Sequence, residues 1–168
     1  MALNEDSLVL NARFRYKWPD RFNRTCSAID YSEKEDLDIS SLVSVSEKLD
    51  AMIRFMEATG RMKDFYDIYY LTITFPFDGK NVQDAIFNTL SKRKTSYEKD
   101  SVQVIERLIT NDAIQTRWLV FCRIVLKYEL SLSEVIMLII SFIDPPFQAM
   151  INKETFSKNW NAEKRKYE

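Results

Sequence analysis

Two carboxylates stand three residues apart in Arg61-Met62-Lys63-Asp64-Phe65-Tyr66-Asp67-Ile68-Tyr69-Tyr70-Leu71, with cations close on either side. On a helix, Asp64 and Asp67 project from one face, and Leu71 continues that face into an apolar body. Burying the pair without partners is costly. Arg61 precedes Asp64 by three residues, Lys63 precedes Asp67 by four, and Lys48 on a preceding helix can return across the turn. A structural role is available: acids in a first turn complement the helix macrodipole by about 0.3–1 kcal/mol each and pair with Arg61 and Lys63. Histidine is absent, so histidine triads, histidine acid–base catalysis and histidine metal sites are excluded. Any chemistry must therefore run on carboxylates, lysines, tyrosines or a thiol.

The elements that must position these residues follow from composition. The chain has 168 residues, 46% hydrophobic and 29% charged, which suits one domain or part of a larger protein. Two glycines and four prolines, against eleven Phe, eight Tyr and three Trp, point to a mostly helical body with an aromatic core and argue against a glycine-lined site. Cys26 and Cys122 match no metal-ligand spacing and read as reduced, isolated thiols of a cytoplasmic protein. A net charge of −1 excludes the whole molecule as an electrostatic sponge for nucleic acid. Glu5 and Asp6 precede a short apolar run, the wrong order for a secretory signal, and the apolar run 135–143 is too short to span a bilayer, so no membrane insertion is expected.

Phe14, Tyr16 and Trp18 alternate with Arg13, Arg15 and Lys17 at the period of a strand that Pro19 ends. Residues 13–24 are basic and aromatic, which suits either single-stranded RNA or a strand with one wet basic face; the second is preferred. The acidic stretch 30–38 reads as a solvated linker. Beyond it the period becomes 3.6. Ser44 with Glu47 forms a capping box for a helix striped by Leu49, Met52, Ile53 and Met56, which Gly60 stops. A second helix, 63–75, is apolar almost all round; a third starts at Asn81, a fourth carries Val102, Ile105 and Leu108, and a fifth carries Trp118, Phe121 and Cys122. Ser131 and Glu134 cap a sixth that should end before Pro145-Pro146. Trp118, Phe121, Met52 and Met56 are expected in the core, while Lys92-Arg93-Lys94 suits a helix C-terminus. The predicted fold is mainly α: a bundle of about six helices over 40–150, preceded by a short strand-like segment and linker over 1–39 and followed by a polar, basic, solvated tail over 151–168.

Ser46-Glu47-Lys48-Leu49-Asp50-Ala51-Met52 followed by Gly60-Arg61-Met62-Lys63-Asp64-Phe65-Tyr66-Asp67-Ile68 resembles the Glu-Lys-Leu-x-Ala and Arg-x-Lys-Asp-x-Tyr-Asp motifs of AbiEii-type abortive-infection nucleotidyltransferase toxins. Asp84-Ala85-Ile86-Phe87-Asn88-Thr89 with Arg93-Lys94-Thr95, the tryptophan helix at 118–121, and the Phe-x-x-Pro ending at Pro145 are similar to later segments of that family, so the likeness covers residues 40–150. The resemblance implies a toxin of a type IV toxin–antitoxin and phage-defence system that transfers a nucleotidyl group from a nucleoside triphosphate, with Mg²⁺, to an acceptor that in some members is tRNA. It assigns Lys48, Lys63, Asp64 and Asp67 to the catalytic site, with Glu47, Arg61 and Tyr66 in support. In that chemistry carboxylates hold Mg²⁺ or take a proton from the attacking hydroxyl, and lysines neutralise phosphates.

A family core opens with a glycine pair and an Asp-x-Asp that hold triphosphate and metal. Gly60 and Gly79, this chain's glycines, both fall in the helical region, and Asp36-Leu37-Asp38 has no glycine turn before it. The expectation is a split, truncated or degenerate member, inactive and without a cofactor in isolation. The rival expectation is a non-catalytic helical interaction module. In either case apolar surface left by an absent core should seek that core, an antitoxin or a second copy of the chain. Lys48, Asp64 and Asp67 in an open concavity favour a half-site; locked in ion pairs against the bundle, they favour structure.

Overall fold

A computed structural model describes residues 34–58 and 60–168. The strand-like residues 8–18, the basic and aromatic residues 13–24, and Cys26 lie outside the described residues. The chain divides after Leu37, and the site and core lie in the unit Asp38–Glu168. The described elements are α1 (Lys34–Phe55), a 3₁₀ turn (Met56–Ala58), α2 (Met62–Thr74), β1 (Phe77–Asp78), α3 (Gly79–Arg93), a 3₁₀ segment (Gln103–Thr110), α4 (Asp112–Phe121) running on as a π-helical turn (Cys122–Leu126), α5 (Leu132–Ile151), β2 (Asn159–Asn161) and β3 (Lys166–Tyr167). The fold is mainly α, as its periodicity predicts.

Helix α5 is the central element and packs against α2, α3 and the 3₁₀ segment. Val135, Ile136, Ile139, Phe142, Ile143 and Phe147 are fully buried along it. Its length and composition would suffice to cross a membrane, yet half of it is buried inside the fold, as expected for a core helix. Helix α2 is buried from Asp64 to Thr72 without interruption, which matches its all-round apolar character. Ser131 caps α5 by accepting from the Glu134 amide at 3.4 Å, and Asp78 caps α3 by accepting from the Asn81 amide at 2.9 Å.

Several boundaries differ from the sequence reading. Helix α1 begins at Lys34, so the acidic stretch is helical from there, Asp36-Leu37-Asp38 included. Acids in a first turn favour that start. Ser44 therefore sits inside α1 rather than capping it. The chain leaves α1 at Met56, whose φ of 42° is left-handed, four residues before Gly60. The fourth helix is a 3₁₀ segment that buries Ile105 and Leu108.

Helix α5 runs through Pro145 and Pro146 to Ile151 instead of ending before them. Each proline lacks the N–H that would bond four residues back, which frees the carbonyls of Ser141 and Phe142. Ser141 is exposed, where solvent serves its carbonyl. Phe142 is fully buried, and its carbonyl instead accepts from the Tyr167 hydroxyl at 2.7 Å. A donor from the end of the chain thus replaces the one that proline removes.

That donor arrives on a three-stranded antiparallel sheet, order β1-β2-β3, pairing Phe77 with Trp160 and Trp160 with Tyr167. The tail is therefore folded, although Lys158, Lys164, Arg165 and Lys166 remain exposed. Gly79 permits its approach. A Cβ there would meet the Lys158 carbonyl oxygen at 2.1 Å and the Phe156 ring at 2.6 Å. Burial pushes the Tyr167 phenol well above its usual value. Tyr167→Phe should cost about 1–2 kcal/mol in chemical denaturation by orphaning the Phe142 carbonyl. A raised tyrosine favours the folded state below its unfolded pKa and loses that contribution as pH climbs, so the difference between native and variant should shrink above about pH 10.

Candidate functional site

Helix α2 opens at Arg61 without a side-chain cap; the Arg61 carbonyl accepts from the Asp64 amide at 2.9 Å. This first turn delivers Asp64 and Asp67 inward, and both are buried. Lys48 comes across from α1 and reaches both acids, its Nζ lying 3.8 Å from Asp64 Oδ1 and 3.6 Å from Asp67 Oδ2. Lys63 Nζ lies 2.5 Å from Asp67 Oδ2, and Arg61 Nε lies 3.1 Å from Asp64 Oδ2. The five groups form one cluster, three cations on two carboxylates. The Lys48 side chain is 17% exposed and Lys63 43%, so the ammonium groups are graded from the interior outward.

Burial holds the Asp67 carboxyl above its ordinary value of 3.8, even though the Lys63 hydrogen bond and the charges of Lys63 and Lys48 pull it down. Nearby Asp64 pushes it further up. An acid kept in a place that disfavours its charge is a recurring feature of functional sites.

Of the other supporting residues, Tyr66 is buried beside the cluster; its hydroxyl lies 3.0 Å from that of Tyr128 and its ring contacts Phe121 at a centroid distance of 6.2 Å. Glu47 is not brought to the cluster. It pairs with Arg93 of α3 at 2.8 Å. Beside it lies a buried acid that motif spacing did not single out, Asp50, which accepts from Thr95 and pairs with Arg93 at 3.5 Å and Arg54 at 3.7 Å. Arg93 and Thr95 thus fasten α1 two residues from Lys48. Asp50 follows buried Leu49 in a helix, and only the partners that the end of α3 and the loop after it supply distinguish it from a surface acid. On the far side of α2, Tyr69 donates to Glu134 at 3.3 Å, and burial, then the Glu134 charge, raise its phenol above the usual value.

A cleft of about 510 Å³ lies between the start of α2 and the α4–π-helical wall. Lys63 and Asp64 line it, so it adjoins the cluster. Trp118 and Met52 are core residues as expected, and Trp118 Nε1 donates to the Leu130 carbonyl at 2.7 Å. Phe121 and Met56 are only half-buried, and Phe121 faces the cleft, because the π-helical turn ends this wall. Cys122 is buried, and its Sγ donates to the same carbonyl at 3.7 Å. The acids are thus both ion-paired and adjacent to a concavity.

The resemblance implies Mg²⁺, and the cluster does not fit it. Among the described residues no three carboxylate or thiol groups gather as metal ligands. Asp64 and Asp67 already face three cations, whereas Mg²⁺ requires several oxygens and tolerates no ammonium among them.

The described residues thus form a mainly α domain with a buried acid–lysine cluster at the edge of a cleft. The family model "Nucleotidyl transferase AbiEii toxin, Type IV TA system" matches residues 43–166. The chain belongs to that family of nucleotidyltransferase toxins. No curated protein and no solved structure matches it.

Proposed function

We propose that this chain supplies the helical half of a nucleotidyltransferase site, acting in the cytoplasm on a nucleoside triphosphate and an RNA acceptor. A core carrying the glycine turn, the Asp-x-Asp and the Mg²⁺ completes the site. Lys48 and Lys63 present positive charge to the phosphates, and Asp64 and Asp67 hold those ammonium groups in place. Arg61 tethers Asp64, and Tyr66 supports the wall behind it. The observation that carries this reading is the arrival of Lys48 from α1 between two buried acids of α2, one of which burial keeps at an electrostatic disadvantage. Transition-state charge on a transferring phosphoryl group gains most from cations fixed in advance, and such a cluster fixes them.

A second reading, an interaction module that docks a core, an antitoxin or another copy of itself, draws support from Leu119 and Ile124, which are 62% and 66% exposed. The two readings separate in one assay. The purified chain, given Mg²⁺, labelled nucleotides and bulk tRNA, should incorporate nothing; co-expressed with a family core that carries the glycine turn and the Asp-x-Asp, it should label RNA, and Asp64→Ala should abolish that labelling. Robust incorporation by the chain alone overturns the split-site reading. Labelling that survives Asp64→Ala leaves the chain a docking module.

A further inference from the structure

Asp50 is a buried acid to which the proposed site gives no role. It follows Lys48 by two residues on α1, and side chains two apart on a helix do not face each other, so it reaches the cluster through the helix alone. Glu47 and Asp50, three apart, share the face of α1 that Arg93 grips, with Nη2 2.8 Å from Glu47 and Nη1 3.5 Å from Asp50. The rest of the receptor is built where α3 ends. Lys94 turns left-handed with a φ of 54°, the Thr95 amide bonds back to the carbonyl of buried Leu90 at 3.0 Å, and the Thr95 hydroxyl donates to Asp50. Arg54 also pairs with Asp50 but comes from α1 itself, so that pair adds charge without a tether. Off this face, the Lys48 ammonium stands 3.8 Å from Asp64 and 3.6 Å from Asp67, beyond hydrogen-bond length. At that length neither acid holds the ammonium directionally, so its place depends on where its helix stands.

We propose that Asp50 is a positioning residue for the cluster: the grip of Arg93 and Thr95 on it sets the height and rotation of α1 that put Lys48 between Asp64 and Asp67. Breaking the grip lets α1 turn or slide, and Lys48 withdraws. Arg61 and Lys63 stay, because they travel with the acids at the start of α2. The catalytic consequence rests on the nucleotidyltransferase reading; the placing of Lys48 does not.

The test follows the Asp67 carboxyl by NMR titration of the full chain. The Lys48 charge pulls that group's midpoint down, so Lys48→Met should raise it by about one pH unit, the full amplitude of losing the lysine. Thr95→Val, which changes no charge, and Asp50→Asn should each give about half of that rise or more. Deleting the Asp50 charge would by itself lower the midpoint, so a rise in Asp50→Asn reports the displaced lysine. In a Lys48→Met background neither change should move it further, and Arg54→Gln should leave it in place. A lower Tm with the midpoint unmoved in both variants, a fall in Asp50→Asn, or an equal rise in the absence of Lys48 overturns the inference. Should Asp50→Asn fail to fold, Thr95→Val, at a half-buried position, decides alone. In the completed enzyme both variants should lower kcat about tenfold with the acceptor KM little changed. A displaced midpoint with kcat intact sinks the part given to Lys48 in the proposed function and leaves its placing standing. A lowered kcat with the midpoint unmoved does the reverse.

Discussion

Asp67→Asn should leave the fold at least as stable as the native chain at pH 7 while lowering nucleotidyl transfer by the completed enzyme about a hundredfold or more. The two halves of this expectation have one cause. Burial outweighs the pull of Lys63 and Lys48 and raises the carboxyl above 3.8. A group with a raised folded pKa contributes stability that is fully present below its unfolded pKa and is lost as pH rises through the folded one. At neutral pH the charged Asp67 therefore works against folding, and asparagine, which mimics its protonated form in shape, removes that burden. Measured against pH by urea denaturation, the variant should gain on the native chain as pH rises from about 4. The same change releases Lys48 and Lys63 from the oxygen that positions both of them. A large loss of stability at pH 7 with transfer intact would make the cluster a structural ion-pair network.

Trp160→Ala should cost about 4 kcal/mol and lower the Tm by ~10 °C, the largest destabilisation expected from one exposed-looking stretch of sequence. Its ring is 1% exposed, meets Phe142 and Tyr167 edge-on at 5.0 and 5.1 Å, and its Nε1 donates to the Thr72 carbonyl at 2.7 Å. Truncation leaves a cavity, strands a buried carbonyl at the end of α2, and frees the strand that carries Tyr167 to the Phe142 carbonyl. Differential scanning calorimetry measures the effect. Phe87→Ala, at a ring half exposed on α3, should cost under about 1 kcal/mol in the same experiment.

Trp160 also marks where reading the chain in order loses information. It stands among Lys158, Asn159, Asn161 and Lys164, a composition that reads as solvated, and nothing within a few residues reveals that Phe77 will pair with it. Pro145 and Pro146 mislead in the same way. Locally they stop a helix; the hydroxyl that lets it continue comes from Tyr167. Glu47 and Asp50 lie on either side of Lys48, and motif order favoured Glu47, whereas Arg93 at the end of a different helix and Thr95 in the loop after it made Asp50 the buried acid.

What the sequence determined by itself is the local half of the molecule: the mainly α class, the buried α2, the cap at Ser131, and the placing of Asp64 and Asp67 on one face with Lys63 four residues before the second acid. Those features depend on residues within a turn or two, so period and spacing carry them. The tertiary structure alone decided that Lys48 reaches both acids, that Arg117 and Phe121 close a cleft beside them, and that the tail is a sheet. Each of those depends on which apolar faces meet, and a buried polar group takes its partner from whatever distant segment that meeting brings within hydrogen-bond reach.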